Sequence, residues 1–191
     1  MNAVRLTAIA LAVLAVVPVR AQEARLSTTA PRVLFTVSDS VKTEDGGRSR
    51  LVTTMTYDPV SGEYVHEVAD GAGALLRRRV LASSTAALTP TEAAVAERLI
   101  AANPEIAPLI AAAEGRVVIS GGFSLLREAG HPCGPGGRCA TYDVFEVIGP
   151  VRRRLRYVVF DLRAVRVFDA DADSDADSNL ANPAARRQSR H

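Results

Sequence analysis

Leu88-Thr89-Pro90-Thr91-Glu92-Ala93-Ala94-Val95-Ala96-Glu97-Arg98-Leu99-Ile100 interrupts a chain that otherwise alternates with a period of two. Thr89 is followed by Pro at the first helical position and by Glu three residues after the cap, the signature of a capping box. Ala93, Ala96, Leu99 and Ile100 then recur at helical spacing and form one apolar stripe. Asn103-Pro104 breaks the stripe, and Asn103 is placed to cap a second short helix over 104–113, with Ile106, Leu109 and Ile110 facing inward. The whole stretch reads as a core helical segment between two sets of strands.

Upstream, 32–37, 51–57, 64–68 and 75–81 alternate as half-buried strands do. Leu51, Thr53, Met55 and Tyr57 share one face of the second run. Pro59 with Ser61-Gly62, and Asp70-Gly71 with Gly73, supply the turns of a β-meander. Downstream, 116–126 is interrupted by Gly121-Gly122, read as a bulge or a close backbone approach. Strands at 140–148, 155–162 and 165–168 follow, with a Gly149-Pro150 turn between the first two. The expectation is an α+β fold in which an antiparallel sheet, ordered meander, helix, meander, packs on one helical segment. Its core is expected to contain Leu34, Met55, Tyr57, Val68, Leu99, Ile100, Ile106, Val118, Phe123, Phe145, Val159 and Phe160. Tyr64-Val65, Asp70 and Ala74-Leu75 correspond to Tyr157-Val158, Asp161 and Ala164-Val165, and Thr56-Tyr57-Asp58 to Thr141-Tyr142-Asp143. Either one unit has been duplicated, or two β-hairpins resemble each other by chance.

The length of 191 residues suits one domain, and 48% hydrophobic with 23% charged residues is a globular mixture rather than a disordered or fibrous one. The ends are different. Residues 1–21 carry an early Arg5, a 14-residue apolar run over 6–19, and small Val19 and Ala21 at the cleavage positions, as a secretory signal peptide does. That run falls short of the ~20 residues that span a bilayer. Removing it takes away Arg5 and Arg20 and leaves 21 basic against 21 acidic side chains, so no strong charge points to nucleic acid. Residues 22–31 form a polar leader, 32–168 the single α+β domain, and 169–191 a tail expected to be disordered. The tail has Asp at 169, 171, 173, 175 and 177 but lacks the Gly and final Glu of a calcium loop.

Chemistry-bearing residues are few. His131-Pro132-Cys133-Gly134-Pro135-Gly136-Gly137-Arg138-Cys139 contains both cysteines of the chain. In an exported protein they are read as a disulfide closing a small loop that staples neighbouring strands. The competing readings are a metal site built from His131, Cys133 and Cys139, for which no fourth ligand is evident, and a redox pair, for which Cys-x-x-Cys is the usual spacing. His66 lies in a strand beside Tyr64 and Val68, and His191 lies in the tail. No Gly-x-Ser-x-Gly, His-Glu-x-x-His or phosphate-cradling glycine loop occurs, so no catalytic residues and no cofactor are assigned. Of 23 basic residues only Lys42 is Lys, and the runs 77–79 and 152–154 of three Arg each are read as solvated strand ends rather than a polyanion surface.

The pattern Leu88-Thr89-Pro90-Thr91-Glu92 leading a helix, then Tyr157-Val158-Val159-Phe160-Asp161-Leu162 before a reverse strand, resembles PepSY-type secreted domains and the small N-terminal domains of copper amine oxidases. The resemblance covers about 80 residues and only non-catalytic modules. It implies an accessory domain; the Asn-Tyr-Asp/Glu that would become a quinone cofactor and a His-x-His copper pair are both absent. The functional expectation is a periplasmic or secreted, non-enzymatic module. It would bind an extracytoplasmic protein or peptide through a sheet surface, without nucleic acid and without a stable membrane span. The alternative is a metal-binding or amine-oxidase-related accessory component.

Overall fold

The structure, a computed structural model, describes residues 25–169. The expected signal peptide and the tail beyond Asp169 lie outside the described residues. The elements are β1 (Arg32–Lys42), β2 (Arg48–Tyr57), β3 (Tyr64–Asp70), β4 (Leu75–Leu81), α1 (Pro90–Ala101), α2 (Ala107–Ala111), β5 (Arg116–Leu125), β6 (Cys139–Ile148), β7 (Val151–Asp161) and β8 (Arg166–Asp169). They form two four-stranded antiparallel sheets, β1-β2-β3-β4 and β5-β6-β7-β8, each in chain order. This corrects the expectation of one sheet. Period-two alternation tells which face a side chain occupies but not which strands pair, and the helical segment separates β4 from β5, leaving both as edges.

The capping box of α1 forms. The Glu92 amide donates to Thr89 Oγ1 at 3.1 Å, and the Thr89 amide donates to Glu92 Oε2 at 3.0 Å. The second helix is shorter than 104–113. Asn103 Oδ1 instead accepts from the Glu105 amide in a local turn, and regular helix covers only Ala107–Ala111. Ile106 is fully buried there, whereas Leu109 is exposed, contrary to its expected inward position. One short turn of helix has room for a single buried contact row.

The second sheet is covered on both faces. Ala140, Tyr142, Val144, Val158, Phe160 and Leu162 pack with Ala96, Ile100 and Ile106 of the helical segment. On the opposite face Val159 packs with Cys139 at the start of β6 and with Cys133 of the loop before it. This explains why Val159 and Phe160, neighbours pointing to opposite faces, are both buried. Leu26, in the expected polar leader, also packs against the helix-side cluster.

Phe123 is a correction: it is 76% exposed. The β5–β6 register passes from Gly121 opposite Tyr142 to Phe123 opposite Thr141, so Gly122 is an extra residue. Such a bulge reverses the alternation beyond it. Gly121 has a φ of 153°, and a Cβ there would collide with the Thr141 carbonyl. Past the bulge it is Ser124 that turns towards the chain leading to α1, donating to the Ala86 carbonyl at 2.8 Å. Val118 and Phe145 face each other on the far side and are only partly buried; the Arg152 guanidinium lies 3.7 Å above the Phe145 ring. Leu99 is likewise partly buried.

The first sheet has a much smaller core, Leu34, Met55, Tyr57 and Tyr64, gathered at one end. From Phe35 to Lys42 every residue of β1 is exposed, and so is every residue of β4.

Candidate functional site

The two sheets meet where the disulfide loop crosses the end of β2 and β3. Cys133 and Cys139 are bonded with Cα atoms 5.4 Å apart, and both are buried. Cys139 begins β6 opposite Leu125 of β5, so the bridge ties the loop back to the strand pair that flanks it. The tied loop presents two carbonyls to the first sheet. The Tyr57 hydroxyl donates to the Gly136 carbonyl at 3.1 Å and the Tyr64 hydroxyl to the Gly137 carbonyl at 2.8 Å. The Gly136 amide donates to the Ala82 carbonyl at 2.7 Å, just past β4. Gly62, in the β2–β3 turn, has a φ of 77°, and a Cβ on it would sit 2.5 Å from the Gly136 carbonyl oxygen. Arg163, in the β7–β8 turn, donates to the carbonyls of Pro59 and Val60, each at 2.8 Å.

Arg138, between this loop and β6, carries the electrostatics. Its Nε and Nη2 donate to Glu92 Oε1 and Oε2, both at 2.8 Å, and its Nη1 and Nη2 also donate to the carbonyls of Ala86 and Ala87. The side chains are 2% and 1% exposed, so this is a fully desolvated bidentate pair. Burial alone would raise the Glu92 carboxyl, but the Arg138 hydrogen bonds and charge outweigh it and hold the pKa below its ordinary value. Burial would likewise lower Arg138, and Glu92 reverses the sign. Arg32 completes the cluster: Nη1 lies 3.4 Å from Glu92 Oε1, and Nη2 donates to the Leu162 carbonyl at 3.0 Å. The Tyr57 hydroxyl is pushed up to about 12, first by burial and then by the neighbouring Tyr64. Glu92 was legible in the sequence only as a cap. Nothing there shows that its second carboxylate oxygen is held by an arginine 46 residues away.

The other expected site residues are placed as follows. His131 Nδ1 accepts from the Cys133 amide at 2.9 Å, and its ring meets the Phe168 ring edge-on at 5.3 Å. His131, Cys133 and Cys139 are therefore neighbours, but both sulfurs are spent in the bond. Among the described residues no group of three or more His, Cys, Asp or Glu side chains could hold a metal. His66 stands opposite Met55 and Arg79, partly buried. The 152–154 arginines are exposed, as expected of solvated strand ends, and two of them also meet carboxylates. Arg153 binds Glu146 Oε2, and Arg154 lies 3.4 Å from Asp143. Glu146 also accepts from the Glu114 and Gly115 amides at 2.6 and 3.0 Å; the Gly115 bond leads in lowering its pKa. The hairpin correspondence has a structural counterpart. Asp70 Oδ1 accepts from the Ala72 and Ala74 amides, and Asp161 Oδ1 from the Arg163 and Ala164 amides.

The strand β4, Leu-Leu-Arg-Arg-Arg-Val-Leu, stands apart from this locked junction. Among the described residues it pairs only with β3, and its other edge is open. Arg78 makes an exposed pair with Glu67 at 3.2 Å, while Arg77 and Arg79 have no ion-pair partner among the described residues. Leu75, Leu76, Val80 and Leu81 are all exposed. No helix among the described residues is long and apolar enough to cross a membrane. No protein-family model matches the chain, and no curated protein does either.

Proposed function

We propose that the protein is a non-enzymatic binding module of the periplasm or the extracellular space that takes up an extended, acidic segment of a partner protein along β4. The observation that carries this reading is the exposure of β4 over its whole length, with one edge unpaired among the described residues. An open antiparallel edge directs the N–H and C=O groups of alternate residues outward, which is the template for strand addition. Exposed apolar edges are an aggregation hazard, and charge on the edge blunts it. Three consecutive arginines do so here, and the same charges select an acidic strand over a basic or neutral one. The buried junction supports the reading by fixing the first sheet from one end and leaving the β4 edge clear. The resemblance to non-catalytic accessory domains belongs to the same class of function. The metal-related alternative would need thiolates at Cys133 and Cys139, and the bond between them removes both.

The test is binding of a labelled eight-residue peptide alternating Glu and Val, followed by fluorescence anisotropy at low salt. Saturable binding should weaken at least about tenfold in Arg77→Glu/Arg79→Glu and should fall with added salt. A Lys-Val peptide binding equally well would contradict the reading, as would a double variant that binds like the parent.

A further inference from the structure

Beside the buried Arg32–Glu92–Arg138 cluster lies a cavity of about 320 Å³, bounded by Arg25, Ser27, Arg32, Thr89 and Thr91, with Leu26 and Val33 as its apolar wall. We propose that this cavity binds a small organic carboxylate, a function separate from strand uptake at β4. The first argument is charge. The cluster holds two guanidinium groups and one carboxylate. That carboxylate is committed to a bidentate pair with Arg138 and to the Thr89 amide. Towards Glu92, Arg32 keeps only the longer contact at 3.4 Å; its Nη2 is bonded to the Leu162 carbonyl, its guanidinium lies 5.3 Å from the Tyr57 ring centroid, and its Nε and Nη1 are buried without a hydrogen-bond partner. Burial lowers the Arg32 pKa by more than the Glu92 charge restores it, so the guanidinium is left under-compensated. Nε and Nη1 have no exposed surface, so an anion in the cavity would offset this buried cation through its charge rather than through a hydrogen bond to those atoms.

The second argument is the donor balance of the wall. Among the described residues no acidic side chain lines the cavity. Ser27 Oγ accepts from the Thr29 and Ala30 amides, and Thr89 Oγ1 accepts from the Glu92 amide. Each of these hydroxyls therefore has its own hydrogen left to donate. Thr91 adds a third hydroxyl and Arg25 a second lining guanidinium. Donors and positive charge without a matching carboxylate call for an anionic acceptor, and arginine suits a planar carboxylate. Leu26 and Val33 give a hydrocarbon chain a surface that inorganic anions cannot use. The volume is at the small end for ligand sites, which limits the ligand to about ten heavy atoms.

Calorimetric titration of the full chain with butyrate, succinate and inorganic phosphate, in a buffer free of carboxylates, tests the proposal. Butyrate or succinate should bind saturably and more tightly than phosphate. Arg25→Gln should weaken carboxylate binding about tenfold, and Thr91→Val by a few-fold. Both residues are exposed, so neither change threatens the fold; Arg32→Met, which could, is read only alongside them. Absence of saturation by either carboxylate up to roughly 10 mM ligand, in large excess over the protein and at the weak limit for so small a ligand, would overturn the proposal. So would phosphate binding as tightly as the carboxylates, or unchanged affinity in both Arg25→Gln and Thr91→Val. None of these results would bear on peptide binding at β4.

Discussion

Arg138→Met removes the cation that neutralises Glu92 while keeping much of the side-chain volume. Four hydrogen bonds go with it: two to the carboxylate and two to the carbonyls of Ala86 and Ala87. Glu92 is then left, 1% exposed, with the Thr89 amide and the 3.4 Å approach of Arg32. Removing one partner of a buried pair costs about 3–5 kcal/mol. An independent ceiling gives a similar figure. The orphaned carboxyl can accept a proton, and protonating an ordinary Glu at pH 7 costs about 3.7 kcal/mol, from roughly 2.7 pH units at 1.36 kcal/mol each. At about 2–4 °C per kcal/mol, the melting temperature should fall by about 10–15 °C at pH 7. The pH dependence has a definite sign. In the parent the Glu92 pKa is lowered, so its contribution is complete above the unfolded value near 4.3 and is lost as pH falls through the folded value. In the variant the carboxyl takes up a proton on folding, a cost of about 3.7 kcal/mol at pH 7 that vanishes as pH falls to about 4.3, so the deficit should shrink between pH 7 and pH 4. Differential scanning calorimetry at both pH values measures it. A loss under about 1 kcal/mol at pH 7, or a deficit that grows towards pH 4, would refute the assignment of Arg138 and Glu92 as a buried, ionised pair.

Four further outcomes follow from the same geometry. Cys133→Ser/Cys139→Ser opens a loop of six-residue separation and should cost roughly 2–3 kcal/mol, seen as a fall of about 5–8 °C in melting temperature. Mass spectrometry finding two free thiols in the exported protein would refute the staple. Gly62→Ala forces a side chain into a positive φ and against the Gly136 carbonyl, so it should destabilise by at least about 1–2 kcal/mol in urea denaturation. Phe123→Ser, on an exposed side chain, should change stability by less than about 0.5 kcal/mol, whereas Phe160→Ala in the packed core should cost about 3–5 kcal/mol. Tyr57 and Tyr142 are each raised to about 12, led by burial, and Tyr64 is raised as well. Absorbance titration at pH 10.5 should therefore find most of the four tyrosines still protonated, and stability should fall as pH rises from 10 towards 12.

What the sequence discloses is local. Thr89 and Glu92 lie within one helical turn, so their reciprocal bonds can be read from spacing alone, and the capping box forms as expected. Asp70-Gly71 through Ala74 likewise announces its turn. The two cysteines have no other partners, and they pair. Long-range geometry is not disclosed in this way. Phe123 was expected inside although Gly121-Gly122 was read as a bulge or close approach; the spacing does not show which face leads into the bulge, and the face reversal at Gly122 turns Phe123 outward. The expectation of a single sheet failed because β4 and β5 carry similar alternation whether or not they pair. Arg138 looked like a loop residue between Gly137 and Cys139. Its burial follows from the approach of a helix 46 residues away, which no spacing rule encodes. Charge on β4 was visible as a run of arginines, but its place on an open edge needed the topology.

Amide hydrogen exchange along β4, with and without the Glu-Val peptide, is the most direct measurement of strand uptake. The account predicts that outward amides of Leu75–Leu81 exchange rapidly in the free protein and become protected in alternation when the peptide is added, with β1 unchanged. Peptide binding that protects β1, or the edges of the second sheet, while β4 continues to exchange freely would contradict it.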